Sequence, residues 1–291
     1  MTYDLLIRNG LIVDGSGMPG YRGDISVKDG IIVEIGKLNG SADRTIDAEG
    51  LVVAPGFIDN HTHFDAQITW DPMCSSSCDH GATSVIFGNC SLSLAPVRPG
   101  SQERLSGFLS YVEAIPMEVL NTINVTWESV PDYMETLDNG LGVNVGNLMG
   151  HSAIRFYVMG EAAQERAATD EEIEEMRTIV REGMQAGALG LSVSRNAGHF
   201  DPQGVPVPAL WAEEKEIFAI CDVLRELGTG IIQSGGGNGA EVENGLMSRL
   251  SEATGRPVVY NTLLHNLKSV SYTHLRAHET DSYLVCRLLL E

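Results

Sequence analysis

The chain has 291 residues, 43% hydrophobic and 20% charged, a composition that describes a folded globular protein and excludes a disordered or fibrous one. A formal net charge of −20 argues against nucleic acid or an anionic membrane surface as the main partner. Five cysteines, scattered at Cys74, Cys78, Cys90, Cys221 and Cys286, show no disulfide framework and fit a reducing cytoplasm.

The N-terminus lacks the n-region and h-region of a signal peptide, and no apolar run approaches the roughly 20 residues of a membrane span. Residues 1–53 read as short strands and turns. Runs rich in β-branched residues at 4–8, 11–13, 24–27 and 31–35 are separated by Asn9-Gly10, Asp14-Gly15, Lys28-Asp29-Gly30 and Asn39-Gly40, all turn signals. This predicts one layer of a small β-sandwich that needs a partner layer.

From residue 51 strands alternate with helices. Strands are predicted over 51–63, 83–90, 144–151, 189–195, 231–234 and 258–261. Thr169-Asp170-Glu171-Glu172 is a capping box, followed by Ile173, Met176, Val180 and Met184 at helical spacing and by Gly187 as terminator. Further helices are predicted from about 211 to 227, stopped by Gly228, and from about 241 to 254, stopped by Gly255. The cadence predicts an α/β chain with a parallel sheet. No glycine-rich G-x-G-x-x-G loop follows the first such strand, so a (β/α)8 TIM-like barrel is expected over 54–268 rather than a doubly wound sheet. A closed barrel needs eight strands and about six are legible, so the barrel is expected to be incomplete at the C-terminus.

The tail, 269–291, shows neither the strand–helix cadence nor turn punctuation. From Ser271 it resembles a peptide translated from sequencing-adapter read-through, and the native chain is expected to end near Lys268 or Val270. His274, His278 and Glu279 stand at metal-ligand spacing there and are set aside for that reason.

Each predicted barrel strand ends in polar groups: Asp59, His61 and His63; Asn89 and Cys90; His151; Ser192, Ser194 and Arg195; Gln233; Asn261. Function in such a barrel gathers at these ends. On a strand Asp59, His61 and His63 share a face, so two imidazoles could hold one divalent metal; a pair of partly exposed strand-end histidines is the competing reading. Cys90 reads as a small core residue on its own and as a thiolate ligand beside the histidines. Arg155 and Arg195 are candidate carboxylate clamps or ordinary salt-bridge residues. His151 is a pocket candidate or a hydrogen-bonded structural histidine. Asp59 is a candidate orienting partner for a ligand histidine or a strand-end turn acid. Cys221 reads as core, and His199 as a loop histidine within reach of the pocket or solvated.

The stretch Ala54-Pro55-Gly56-Phe57-Ile58-Asp59-Asn60-His61-Thr62-His63-Phe64-Asp65-Ala66-Gln67 resembles the amidohydrolase superfamily signature, specifically its N-acyl-D-amino-acid deacylase (D-aminoacylase) branch. Blocks at His80-Gly81-Ala82-Thr83, Gly88-Asn89-Cys90-Ser91, Gly150-His151-Ser152-Ala153-Ile154-Arg155 and Gly187-Ala188-Leu189-Gly190-Leu191-Ser192 match in order, so the resemblance covers 2 to about 268. It implies a metal-dependent barrel with a small β-sandwich made from both chain ends. It also implies hydrolysis of linear amides, N-acyl amino acids above all, by water activated on a zinc ion, here a single one. His61 and His63 would be metal ligands, and Cys90 would replace the bridging lysine used elsewhere in the superfamily. Substrate contacts would fall to His151, Arg155, Arg195, Gln233 and Asn261.

The departures are equally specific. D-aminoacylases add histidine ligands from the fifth and sixth strands, where this chain has Gln233 and Asn261, with His265 four residues beyond the expected place. The general-base aspartate of the last strand has no counterpart. A reduced metal site, a non-catalytic barrel that binds a small carboxylate, and an inactive truncated gene product all follow as readings.

Overall fold

The computed structural model describes residues 2–138, 140–235 and 240–261, and only the backbone of 240–244 and 261. His265, Cys286 and the tail carrying His274, His278 and Glu279 lie outside the described residues. The chain divides into two compact units at Phe57.

The first unit is one sheet. Its strands are β1 (Thr2–Ile12), β2 (Tyr21–Lys28), β3 (Ile31–Gly36), β4 (Ser41–Asp47) and β5 (Val52–Val53), in the order β3-β2-β1-β4 with β5 also on β1. Asp29-Gly30 forms the expected two-residue hairpin, with φ of 52° and 75° and Lys28 opposite Ile31. Asn9-Gly10 does not make the expected turn. β1 runs straight through it, and its register against β2 shifts between Ile7 and Gly10. Asn9 takes φ 62° there, its N–H caught by Asp24 Oδ1 and its Nδ2 by Asp47 Oδ1, both at 2.9 Å. The dipeptide therefore builds a bulge, the other use of a left-handed residue in a strand. A side chain at Gly10 would meet Val53 Cγ2 at 2.6 Å. β4 has no apolar run to announce it; its parallel ladder with β1 makes it a strand. Ile31, Ile32, Val33 and Ile35 of β3 are exposed.

The second sheet contains β6 (Phe57–Asp59), β7 (Ala82–Phe87), β8 (Asn144–Gly150), β9 (Gly190–Ser192), β10 (Ile231–Gly235) and β11 (Val258–Asn261), lying side by side in chain order. From β7 to β11 every neighbour pair is parallel. Between the strands come helices α1 (Ser75–Cys78), α2 (Gln102–Glu113), α3 (Met117–Leu120), α4 (Val130–Leu137), α5 (His151–Met159), α6 (Asp170–Gln185), α7 (Glu214–Leu227) and α8 (Ala240–Thr254). This is the expected (β/α) barrel architecture, six strands of it among the described residues. Parallel strands are buried on both faces, which is why Leu148, Met149, Leu191 and Ile232 are all fully buried.

The capping box at α6 forms as read. Glu172 N donates to Thr169 Oγ1 at 3.3 Å and Thr169 N donates to Glu172 Oε2 at 2.7 Å. Ile173, Met176, Val180 and Met184 face the core. Gly228, at φ 69°, ends α7.

The strands are shorter than predicted, and the difference matters for the site. The predicted strand 51–63 is broken at Ala54-Pro55-Gly56 into β5 and β6, which belong to different sheets. A proline has no N–H for a ladder, so the run cannot continue there. β6 then stops at Asp59, β7 at Phe87, β8 at Gly150 and β9 at Ser192. His61, His63, Cys90, His151 and Arg195 consequently stand beyond strand ends rather than on strands. No helix among the described residues is long and apolar enough to cross a membrane.

Candidate metal centre

His61 and His63 are positioned by Thr62 between them. Thr62 N and Thr62 Oγ1 both donate to Ile86 O at 2.9 Å, carrying the contact with β7 past the end of β6. Thr62 is buried, and the histidines on either side of it are half-buried. The imidazole centroids lie 5.4 Å apart, edge to face.

β7 delivers the third group through Gly88-Asn89-Cys90. Gly88 has φ 78°, and a Cβ there would stand 1.9 Å from Leu148 O, so only glycine lets β7 and β8 approach. Asn89 Nδ2 donates to Thr62 O at 3.1 Å and Ile86 O at 3.0 Å, tying the two strand ends together. Cys90 and Ser91 then both take left-handed backbone, φ 57° and 68°. Conformations of this kind cost about 1–3 kcal/mol each and persist only where neighbours hold them. Here Cys90 N donates to Gln233 Oε1 at 2.9 Å and Ser91 N to Ser192 Oγ at 2.9 Å.

The turn brings Cys90 Sγ to 3.4 Å from His61 Nε2. Ligand atoms of His61, His63 and Cys90 all lie within 4.8 Å of one another, the one such cluster found among the described residues. A tetrahedral ion with Zn–N and Zn–S bonds of ordinary length separates its nitrogen and sulfur ligands by about 3.5 Å. Nδ1 of His61 and Nδ1 of His63 are buried with no hydrogen-bond partner. A compact set of two imidazoles and one thiol with orphaned ring nitrogens fits a borderline-soft divalent cation.

Burial sets the protonation of the set. It pushes His63 down to about 3, with the charges of His61 and His199 adding to it. It also lowers His61, against the opposing pull of Asp59. It drives the Cys90 thiol up to about 12, helped by Glu113 and Asp65. Asp65, fully buried, is raised by burial to about 7 although Gly88 N donates to its Oδ2 at 3.2 Å. The metal-free cluster is therefore uncharged at neutral pH.

The other expected residues divide into two groups. Gln233 and Arg195 come to the same end of the sheet as the cluster. Gln233 is buried, its oxygen taken by Cys90 N, while its Nε2 has no partner. Val193 N donates to Gln233 O and Ser194 Oγ to Gly235 O, so the segment leading to Arg195 follows the end of β10. Asn261 pairs in register with Gly235 at the end of β11. Asp59 accepts from Ser77 Oγ at 2.6 Å and acts on His61 through its charge.

His151 and Arg155 meet each other instead. They sit one turn apart on α5, fully buried, and both contact Glu216 of α7, His151 Nε2 at 2.6 Å from Glu216 Oε1 and Arg155 ion-paired to Glu216 Oε2. Arg155 also donates to Ala163 O at 3.3 Å and Arg166 O at 2.9 Å. The guanidinium expected to clamp a substrate is thus committed to an internal helix-to-helix contact. A buried cation needs acceptors, and Glu216 with two carbonyls takes its two terminal nitrogens, while Nε is buried without a partner.

Two carboxylates that were not among the expected site residues join the site, and so does His199, weighed from the sequence as a loop histidine within reach of the pocket or solvated. Glu113, the last residue of α2, places Oε1 at 3.2 Å from His63 Nε2. Asp65 lay in plain view in the signature, but its burial did not. His199, half-buried in a loop, accepts from Asn196 Nδ2 at 2.9 Å and is close enough for its charge to act on His63.

The model of the Amidohydrolase family matches residues 44–282. The D-aminoacylase of Alcaligenes xylosoxydans xylosoxydans is 37% identical over 222 residues, 75% of this chain and 41% of that protein. An uncharacterised protein of Mycobacterium tuberculosis is 36% identical over 253 residues, 80% of this chain and 40% of that protein. Among solved structures, a D-aminoacylase described for its binuclear metal centre superposes with a TM-score of 0.72 at 30% identity, covering 89% of this chain and 51% of the other. The N-acyl-D-glutamate deacylase of Bordetella bronchiseptica, complexed with zinc and a phosphonate mimic of the tetrahedral intermediate, gives 0.72 at 29% identity with the same coverage. The chain thus spans about two fifths of the length of these curated relatives and about half of these solved chains. Its matching segment runs through β6 and β7 and the histidine–cysteine cluster they assemble, and the chain belongs to the Amidohydrolase family.

Proposed function

We propose that the second unit carries the metal-binding part of an amide hydrolase active site, acting on linear N-acyl amino acids, with one zinc ion held by His61, His63 and Cys90. The convergence of those three groups within 4.8 Å carries this reading. The similarity to D-aminoacylase, N-acyl-D-aspartate deacylase and N-acyl-D-glutamate deacylase supports the substrate class. A zinc ion there supplies a water acidic enough to ionise near neutral pH and a Lewis acid for the amide carbonyl.

The chain's own residues supply orientation. Gln233 offers its unpartnered Nε2–H to an acceptor oxygen of the substrate, since its own oxygen is already spent on Cys90 N. Arg195, which follows the end of β9, is the cation we assign to the substrate carboxylate, with Asn261 at the adjoining strand end. Asp59, tied to Ser77, biases His61 electrostatically. His151, locked on Glu216, supports the wall behind the Ser91 turn, where Ser152 N donates to Ser91 Oγ at 2.9 Å. We place the protein in a reducing compartment, in keeping with the free thiols Cys74, Cys78, Cys90 and Cys221.

Metal content of the purified chain and of a His61→Ala/His63→Ala variant tests the centre, and amine release from N-acetyl-D-amino acids tests the chemistry. One zinc per chain, lost in the variant, is expected; equal zinc in both would end the assignment.

A further inference from the structure

Gly150, Ser192 and Gln233 are register partners in one row across β8, β9 and β10. Register partners of a parallel sheet share a face, and these three all lie against the turn that follows β7. Gly150 leaves that turn its room: a Cβ there would stand 2.7 Å from Ser91 O and 2.8 Å from Ser93 N. Its N–H donates to Ser93 Oγ at 3.1 Å. Ser192, one strand further from β7, reaches the turn with a hydroxyl, which accepts from Ser91 N at 2.9 Å and donates to Gly88 O at 2.6 Å. Gln233, one strand further again, reaches it with a long amide that accepts from Cys90 N at 2.9 Å. Side-chain length along the row grows with distance from β7.

The turn needs this support. Cys90 and Ser91 are consecutive non-glycine residues in left-handed backbone, and their two N–H groups have been captured by side chains 143 and 101 residues downstream. Both of those side chains are buried, 0% exposed for Ser192 and 1% for Gln233, and a polar group buried so completely is held by the bonds it makes. We propose that Ser192 and Gln233 are positioning residues of the metal centre: together they hold the Gly88–Ser91 turn in the conformation that sets Cys90 Sγ beside His61, and they do so before a cation arrives. Ser192 ties the two ends of the turn to each other, and Gln233 fixes the backbone of the cysteine itself. Without them the turn relaxes toward ordinary backbone, and part of the free energy of metal binding goes into restoring it. Losing an outer partner of a metal ligand costs roughly 10–100-fold in affinity. The inference rests on Cys90 being a metal ligand, as argued above.

The test uses the full 291-residue chain. In the chelator-treated wild type, hydrogen exchange should find the Cys90 and Ser91 amides protected. Ser192→Ala should free Ser91, and Gln233→Leu should free Cys90. Zinc affinity, measured against a competing chelator, should fall roughly 10–100-fold in each. Gln233→Glu retains an acceptor for Cys90 N and should bind zinc no more weakly than the wild type. The thiolate charge-transfer band of the cobalt-substituted protein should weaken or move in Ser192→Ala and Gln233→Leu. Thr169→Ala is the control for general destabilisation, because it removes the capping box of α6 away from the turn. It should leave zinc affinity and the cobalt band unchanged. Circular dichroism of each variant checks the fold. Freely exchanging Cys90 and Ser91 amides in the metal-free wild type, unchanged zinc affinity in folded Ser192→Ala and Gln233→Leu, an equal loss in Thr169→Ala, or a Gln233→Glu as weak as Gln233→Leu would each overturn the proposal. Cys90→Ala separates the two levels: undiminished zinc binding in that variant removes the metal centre itself, whereas its loss there with no effect of Ser192→Ala or Gln233→Leu removes only their positioning role.

Discussion

The Cys90 thiol should contribute about tenfold per pH unit to zinc affinity, and that contribution should continue past the pH at which an ordinary thiol has ionised. The perturbation is pH, and the cause is the burial of the Cys90 thiol, which stands at about 12 with Glu113 and Asp65 adding to the effect. Zinc binds the thiolate, so at any pH below that value binding expels one proton. The imidazoles contribute nothing to the slope above neutrality, because burial already keeps His63 neutral down to about 3 and lowers His61 as well. The one thiol proton released per ion contributes roughly a thousandfold gain in affinity between pH 7 and pH 10, or about 4 kcal/mol, and ionisation of the zinc-bound water adds to it. A solvent-exposed thiol, with a pKa near 8.5, would give a curve that flattens over the upper half of that range. The assay is a zinc titration against a chelator of known proton and metal constants, paired with proton release in weak buffer. Cys90→Ser should lower the slope by about one proton per ion across the whole range. A difference between the two proteins that vanishes above about pH 8.5, or equal slopes in both, would refute the buried-thiol account.

Three further outcomes follow from individual contacts. Glu216→Ala strands the buried Arg155 guanidinium and should cost about 3–5 kcal/mol by urea unfolding; a loss below about 1 kcal/mol would mean that Arg155 finds other compensation. For Glu216 itself, burial works to raise its pKa, but the His151 hydrogen bond and the charges of His151 and Arg155 outweigh it, so the carboxyl lies below its ordinary value. Its contribution is therefore present above the ordinary glutamate range and fades as the pH falls through the lowered folded value. Asp65 behaves in the opposite sense: burial raises its folded pKa to about 7, so its neutral form supports the fold below about pH 4 and that support is lost as pH climbs to about 7, some 4 kcal/mol in all. In the metal-free protein Asp65→Asn should accordingly melt above the wild type at pH 8 and alongside it at pH 4, and parallel curves at both would remove the claim. Gly88→Ala should destabilise by more than about 4 kcal/mol, because its Cβ would meet Leu148 O at 1.9 Å and its φ is 78°; a melting temperature within a few degrees of the wild type would show that β7 and β8 part more easily than their ladder suggests.

Local chemistry alone settled a good deal. The Thr169 box, the apolar stripe of α6 and the glycine stop of α7 depend on neighbours within a few residues, so their linear pattern is enough to specify them. The hairpin at Asp29-Gly30 is specified in the same way. The strand–helix cadence was enough for the barrel architecture, and the histidine pair with Cys90 was legible as a candidate set because the residues carry the chemistry themselves.

Tertiary structure decided what those residues do to one another. Asn9-Gly10 has the chemistry of a turn and becomes a bulge, because Asp24 and Asp47, distant in sequence, capture the asparagine in place. Arg155 looks like a substrate clamp until Glu216, 61 residues away, is seen to claim it. Gln233 holds Cys90 across 143 residues, and Glu113 reaches His63 from the end of a helix with no motif around it. The physical reason is the same in each case. A residue's type fixes which bonds it can make, whereas burial and long-range pairing fix which of them it does make. For the three ligand candidates, that means the amino-acid sequence named the donors, and only their burial together made two imidazoles neutral and a thiol reluctant to ionise.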